Sequence, residues 1–272
     1  MNRPRLVAVL LVLALLCPRP LVAEAPASPY TLSWAVDVPV TVGAAAAWAL
    51  PQIFMNDLVR GGGPYDSASI NGMDRFVTGL HSTGANTASD VMLWSLVALP
   101  FAATALDVGV SSGGGWRGWA TDSAVIAEAV LVSAALNQVT KFAVQRPRPL
   151  LYDRPAGDPA LAVADNHVSF YSGHTSTAFA AGMAWASTFA RRHPDSPWRF
   201  VAYGGAATLG STVGLLRMLA GKHFTSDVLV GAAMGTLVGL GVPWLHARSG
   251  LAVTVAPGRG GGALVAITLP LP

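Results

Sequence analysis

The chain has 272 residues, of which 52% are hydrophobic and only 11% charged. Ordinary soluble domains carry about 25% charged residues, so the composition points to a membrane protein or an unusually buried helical one. The formal charge of +3 is too small for a nucleic-acid footprint, and a single cysteine, Cys17, excludes an internal disulfide or a cysteine-built metal centre.

In chain order, Arg3 and Arg5 precede an apolar run from Leu6 to Cys17, and small residues follow at Ala23 and Ala25. A charged start, a short apolar stretch and a small-residue exit read as a secretory signal over residues 1–23, with an uncleaved anchor as the alternative. Apolar stretches then lie at 34–54, 91–110, 120–140, 174–190, 199–216 and 226–245, interrupted by Asp37 with Pro39, by Pro100 and by Glu128. Acids inside such stretches are costly and usually face a bundle interior. Gly231, Gly235 and Gly239 form a small-residue row that lets another helix approach closely. The expected fold is all-α: a bundle of about five to six mostly transmembrane helices over residues 30–248. Residues 56–90 read as a polar loop or a short interfacial helix over the site. In the tail, 249–272, alternation at Leu251, Val253 and Val255 followed by GRGGG gives a weak β-hairpin signal.

Three polar clusters interrupt the second half. KFAVQRPRP brings Lys141, Arg146 and Arg148, YSGHTS brings Ser172, Gly173 and His174, and RMLAGKHFTSD brings Arg217, His223 and Asp227. Lys141, Arg148 and Arg217 have no acid nearby in sequence to cancel them. Arginine's planar fork suits paired bonds to phosphate oxygens, and lysine acts as a point charge. Pro147 and Pro149 are expected to end the preceding helix and hold the basic pair extended. Ser172 and Gly173 are expected to open the next helix, whose backbone N–H groups would face an anion.

The spacing resembles the type 2 phosphatidic acid phosphatase and vanadium haloperoxidase superfamily, whose signature reads KxxxxxxRP, then PSGH, then SRxxxxxHxxxD. Here Tyr171 stands in place of the signature Pro and Leu216 in place of the Ser. The resemblance implies metal-independent hydrolysis of a lipid or polyprenyl phosphate or pyrophosphate. It implies Lys141, Arg148, Ser172, Gly173 and Arg217 as the phosphate cradle. His223 is then the nucleophile and forms a phosphohistidine, Asp227 accepts from its other ring nitrogen, and His174 is the general acid and later the base. No cofactor is implied, except vanadate on His223 under a haloperoxidase alternative. Two further alternatives are a soluble periplasmic acid phosphatase and a non-catalytic membrane protein that binds an oxyanion. Arg146 and Lys222 are extra cations, as readily solvated as in contact with substrate. His81, His167, His193 and His246 lack ligand spacing with carboxylates and are expected to be structural or surface residues.

Sidedness is divided. All three clusters fall at alternating ends of consecutive apolar runs, hence on one face. Arg117, Arg191, Arg192, Arg199 and Arg248, with Trp116, Trp119, Trp198 and Trp244, fall on the other. Basic loops mark the cytoplasm and Trp an interface, so the site is expected to face the periplasm of an inner membrane. A cleaved signal followed by six spans would place it on the opposite side.

Overall fold

The computed structural model describes residues 27–112, 114–248, 252–257 and 263–268. The expected leader at 1–23, Cys17 and Leu251 lie outside the described residues. Six long helices form the bundle: α1 Trp34–Ile53, α2 Thr83–Asp107, α3 Gly115–Val144, α4 Gly173–Arg192, α5 Trp198–Leu219 and α6 Thr225–Leu245. The expected all-α bundle is present, and among the described residues four stretches are long and apolar enough to cross a membrane: Trp34–Ile53, Thr83–Val110, Gly115–Leu151 and Thr225–Leu245. Strands β1 Ala252–Pro257 and β2 Ala263–Thr268 pair antiparallel, with Val253 opposite Ile267 and Val255 opposite Val265.

The elements begin and end where local chemistry dictates. Helix α2 starts eight residues before the apolar stretch that announced it. The Ser82 hydroxyl caps it by accepting from the Ala85 N–H at 3.1 Å, so the 56–90 segment is less of a loop than expected. Its remainder folds into single turns at Met55–Leu58, Ser67–Ser69 and Gly72–Arg75. Helix α3 stops at Gln145, which takes a left-handed conformation (φ 46°) two residues before Pro147. Ser172 caps α4. Residue caps of this kind satisfy backbone N–H groups that have no partner within the helix.

Alternating helix directions bring one set of ends together. Ser82 N donates to Leu219 O at 3.0 Å, joining the start of α2 to the end of α5. Ser172 N donates to Asp227 O at 3.0 Å, joining the starts of α4 and α6. Gln145 at the end of α3 donates to Leu58 O, just beyond α1, at 3.0 Å. These ends carry all three polar clusters. The other ends meet at the far side, where Arg192 holds Asp122 at 2.5 Å, His193 holds Asp107 at 2.7 Å, and Tyr30 forms a bridge with Ala247.

Helix α4 is the centre, packed against α2, α3, α5 and α6. Its face toward α6 is made by glycines. A Cβ on Gly231, Gly235 or Gly239 would stand 2.7, 2.2 or 2.7 Å from the carbonyl oxygens of Ser172, Ser176 and Ala180. Close backbone approach, with dispersion contacts along the whole seam, is what the row provides. Helix α1 sits outermost against α3, and Ala44 is its one buried residue.

Candidate active site

His223 lies in the short connection between α5 and α6 and is 1% exposed. Its Nδ1 is 2.8 Å from the backbone oxygen of Ser169. A carbonyl can only accept, so Nδ1 carries the proton and Nε2 is the unprotonated nitrogen of the neutral ring. Asp227 does not accept from this imidazole, contrary to expectation. Its Oδ2 is 3.7 Å from Nδ1, too far for a hydrogen bond. The carboxylate instead accepts from the Ser169 hydroxyl at 2.5 Å and the Phe224 N–H at 2.9 Å through Oδ2, and from Arg146 at 2.6 Å through Oδ1. Asp227 therefore braces the two segments that hold His223, and its charge lies beside the ring.

Arg146 is no free surface cation. Its guanidinium joins Asp227 to Asp74 (2.9 Å), donates to Ser226 (2.8 Å), and lies 4.0 Å over the Phe224 ring. Asp74 in turn accepts from the Ser226 N–H at 2.9 Å and hydroxyl at 2.7 Å. The turn at Gly72–Arg75 is thereby fastened to the start of α6, over the site.

Two of the three expected clamps have acidic partners, so the idea that no acid balances them is corrected. Arg148 donates to Asp165 through its backbone oxygen at 2.9 Å and its carboxylate at 2.8 Å. Arg217 reaches Asn86, Ser89 and Asp90 of α2 at 3.0, 3.2 and 3.3 Å. Sequence spacing missed these acids because they arrive from other segments. Asn86, Ser89 and Asp90, three and four residues apart, do share one helical face, the only signal available beforehand. The neutralisation is incomplete at Arg217 and Lys141. Arg217 is 5% exposed, and its Nε has no partner among the described residues. Lys141 has no acid within ion-pair distance among those residues. A buried N–H without an acceptor is costly, and an incoming oxyanion would satisfy it.

His174 sits at the first turn of α4, with Nε2 2.7 Å from Asp90 Oδ1. Asp90 thus links His174 to Arg217. The α4 start is positioned by Asn137, one helical turn before Lys141 on α3, whose amide donates to Tyr171 O at 2.7 Å. Gly173 is required there because a Cβ would stand 2.6 Å from Asn137 Oδ1. All eight sequence-derived residues thus lie at one end of the bundle. Burial, then the charges of Arg148, Arg217, Lys141 and His174, holds the His223 imidazole well below its ordinary pKa of 6.5.

The family model described as PAP2 superfamily matches residues 123–251, from within α3 to beyond α6. Over this stretch the chain is similar to the PAP2 superfamily. Among curated proteins, the chain resembles the lipid A 1-phosphatase of Porphyromonas gingivalis, with 44% identity over 71 residues. That match covers 26% of this chain and 15% of the relative's length. A solved structure, the first transmembrane PAP2-type phosphatidylglycerolphosphate phosphatase from Bacillus subtilis, aligns with a TM-score of 0.45 and 19% identity, covering 76% of this chain and 93% of that one.

His167 is structural, between Tyr65 Oη (3.2 Å) and Leu161 O (2.9 Å). His246 has carboxylate neighbours that its spacing along the chain did not announce. Asp37, Glu128 and His246 converge from α1, α3 and the end of α6, with ligand atoms within 4.8 Å of one another. Three separate elements meet there, which no spacing along the chain could reveal.

Proposed function

We propose that this chain is a membrane phosphatase that hydrolyses a lipid-linked phosphate monoester or pyrophosphate through a phosphohistidine on His223. The observation that carries the reading is the buried neutral imidazole of His223, with Nδ1 committed to Ser169 O and the charges of Lys141, Arg148 and Arg217 acting on it. The match of residues 123–251 to the PAP2 family model and the likeness to a lipid A 1-phosphatase support the same class of substrate.

The cations bind the phosphoryl oxygens, whose spread negative charge is the feature to be stabilised in phosphoryl transfer. The Nε2 lone pair of His223 attacks phosphorus, and the bond from phosphorus to the leaving oxygen breaks. That oxygen takes its proton from His174, whose ring is oriented by the contact of Nε2 with Asp90 Oδ1. The ring becomes a phosphorylated imidazolium, stabilised by the Ser169 carbonyl and the nearby Asp227 charge. Water then attacks phosphorus and gives a proton to His174. Inorganic phosphate departs and neutral His223 is restored.

In this reading the side-chain cations take the place of a metal at the reacting phosphate. His223→Ala should abolish phosphate release from a lipid phosphate panel while the detergent-solubilised protein keeps its melting temperature. Rapid quench into alkaline detergent with a radiolabelled substrate should trap in wild type a phosphoprotein that survives alkali and is lost in acid. Near wild-type turnover by His223→Ala would overturn the mechanism. The initial rate should survive EDTA and fall with vanadate; loss on chelation with restoration by Mg²⁺ would show a metal-dependent phosphatase. The catalytic end is proposed to face the periplasm, supported by Arg117, Arg191 and Arg199 and by exposed Trp116, Trp198 and Trp244 at the far end.

A further inference from the structure

At the far end of the bundle, three ligand-type side chains meet from three helices. His246 Nε2 is 3.4 Å from Asp37 Oδ1 and 3.6 Å from Glu128 Oε2. All are sequestered: His246 is 8% exposed, Glu128 6%, and the Asp37 side chain 15%. The orientation of the imidazole is fixed. Nδ1 lies 2.9 Å from Val242 O and donates to it, so Nε2 presents its lone pair to the two carboxylates. Metal-ligating histidines are typically held in this way, with the second nitrogen on a backbone carbonyl. The His246 backbone is itself anchored, its oxygen accepting from Thr31 N at 2.9 Å.

The carboxylates are poorly accounted for by protein groups alone. Asp37 uses Oδ2 to accept from Ser33 N at 2.6 Å, which leaves Oδ1 turned to His246. The Glu128 carboxylate accepts no hydrogen bond among the described residues, although the side chain is more than nine-tenths buried and aimed into the cluster. Two ionised carboxylates at this point would need two balancing positive charges. A divalent ion with a neutral imidazole balances both, which matters where desolvated charge is costly. Spacing agrees with this. Ligands about 2.0–2.2 Å from a tetrahedral ion stand about 3.4 Å apart.

We propose that Asp37, Glu128 and His246 bind one divalent transition-metal ion of the zinc class, which pins the first helix to α3 and α6. One imidazole and two carboxylates favour Zn²⁺ or a similar first-row ion over Mg²⁺ or Ca²⁺, which take oxygen ligands. A fourth position is left for a water molecule. The site stands at the opposite end of the bundle from His223, so its role is structural.

The test uses the full chain in detergent, stripped with chelator and titrated with Zn²⁺ and, separately, Co²⁺. One equivalent of Zn²⁺ should bind, and Co²⁺ should give the visible absorption of a low-symmetry nitrogen–oxygen site. Saturating Zn²⁺ should raise the melting temperature by roughly 5 °C without changing the initial rate of phosphate release. Glu128→Gln and His246→Gln should lose the ion, as should the milder Asp37→Asn, whereas His223→Ala should retain it. Failure of wild type to bind Zn²⁺ or Co²⁺ would overturn the site, as would binding that persists in all three ligand variants. Loss of the ion in His223→Ala alone would place the metal at the catalytic end and overturn this inference.

Discussion

In the proposed reaction Asp227 serves both folding and chemistry. Its carboxylate is fully buried and holds the Ser169 hydroxyl, the Phe224 N–H and Arg146 together. In Asp227→Asn the charge opposite Arg146 disappears, and an amide N–H₂ faces a donor. Breaking such a buried pair costs about 3–5 kcal/mol, so the variant should melt well below wild type as well as react slowly. Unchanged melting with lost activity would instead return Asp227 to a purely catalytic role. The depressed pKa of His223 has two consequences with definite signs. The native ring stays neutral through pH 6.5, so the acid limb of kcat/KM that reports it should lie below that pH. The unfolded ring takes up a proton near pH 6.5 and the native ring does not, so this group's contribution to stability is complete above pH 6.5 and is lost as pH falls toward the native pKa. His223→Gln should flatten that part of the stability–pH curve in melting experiments. At this scale the sequence revealed Lys141, Arg148, His174, Arg217 and His223, because clustered cations and histidines stand out from apolar surroundings. It concealed Asp74, Asp90 and Asp165, each brought in by a segment remote from its partner.

Among the elements, the α4–α6 seam decides whether the site can form. Ser172 and His174 open α4, and Asp227 lies in the first turn of α6, so their relative position depends on the glycine row between them. Gly235→Ala would drive a methyl group against the Ser176 carbonyl, forcing the helices apart. It should lower the melting temperature and phosphate release together. Gly204→Ala, on a face of α5 with nothing within 4 Å of the added carbon, should change neither. Equal effects of the two substitutions, measured side by side, would refute the seam. The six helices were legible because their apolar runs are long, and the glycine row was legible as a contact face. The first two turns of α2 were not. Their inward face is polar, since Asn86, Ser89 and Asp90 reach for Arg217, and hydropathy cannot distinguish such a face from a loop.

For the whole molecule, alternating helix directions place the polar clusters at one end and the Arg- and Trp-bearing turns at the other. The outward reading predicts opposite labelling of the two ends. In a Cys17→Ser background, Ala156→Cys should react with a membrane-impermeant thiol reagent in intact cells, and Asp195→Cys only after lysis. The reverse order would turn the site inward. Reaction of both once the outer membrane alone is permeabilised would indicate a protein outside the inner membrane.

Central placement of α4 also bears on how the chain is made. This helix and α5 are not among the four apolar enough to cross a membrane by themselves. Helix α4 buries Thr175, Ser176, Ser187 and Thr188 against neighbours, two of which are synthesised after it. A ribosome that has finished α4 has therefore produced a segment poorly suited to acyl chains and still lacking α5 and α6. In a membrane, such a segment would gain its full cover only when those later helices emerge and pack against it. Chains that stop short of α6 would leave those hydroxyls without their cover, and membrane proteases would be the readers of that defect.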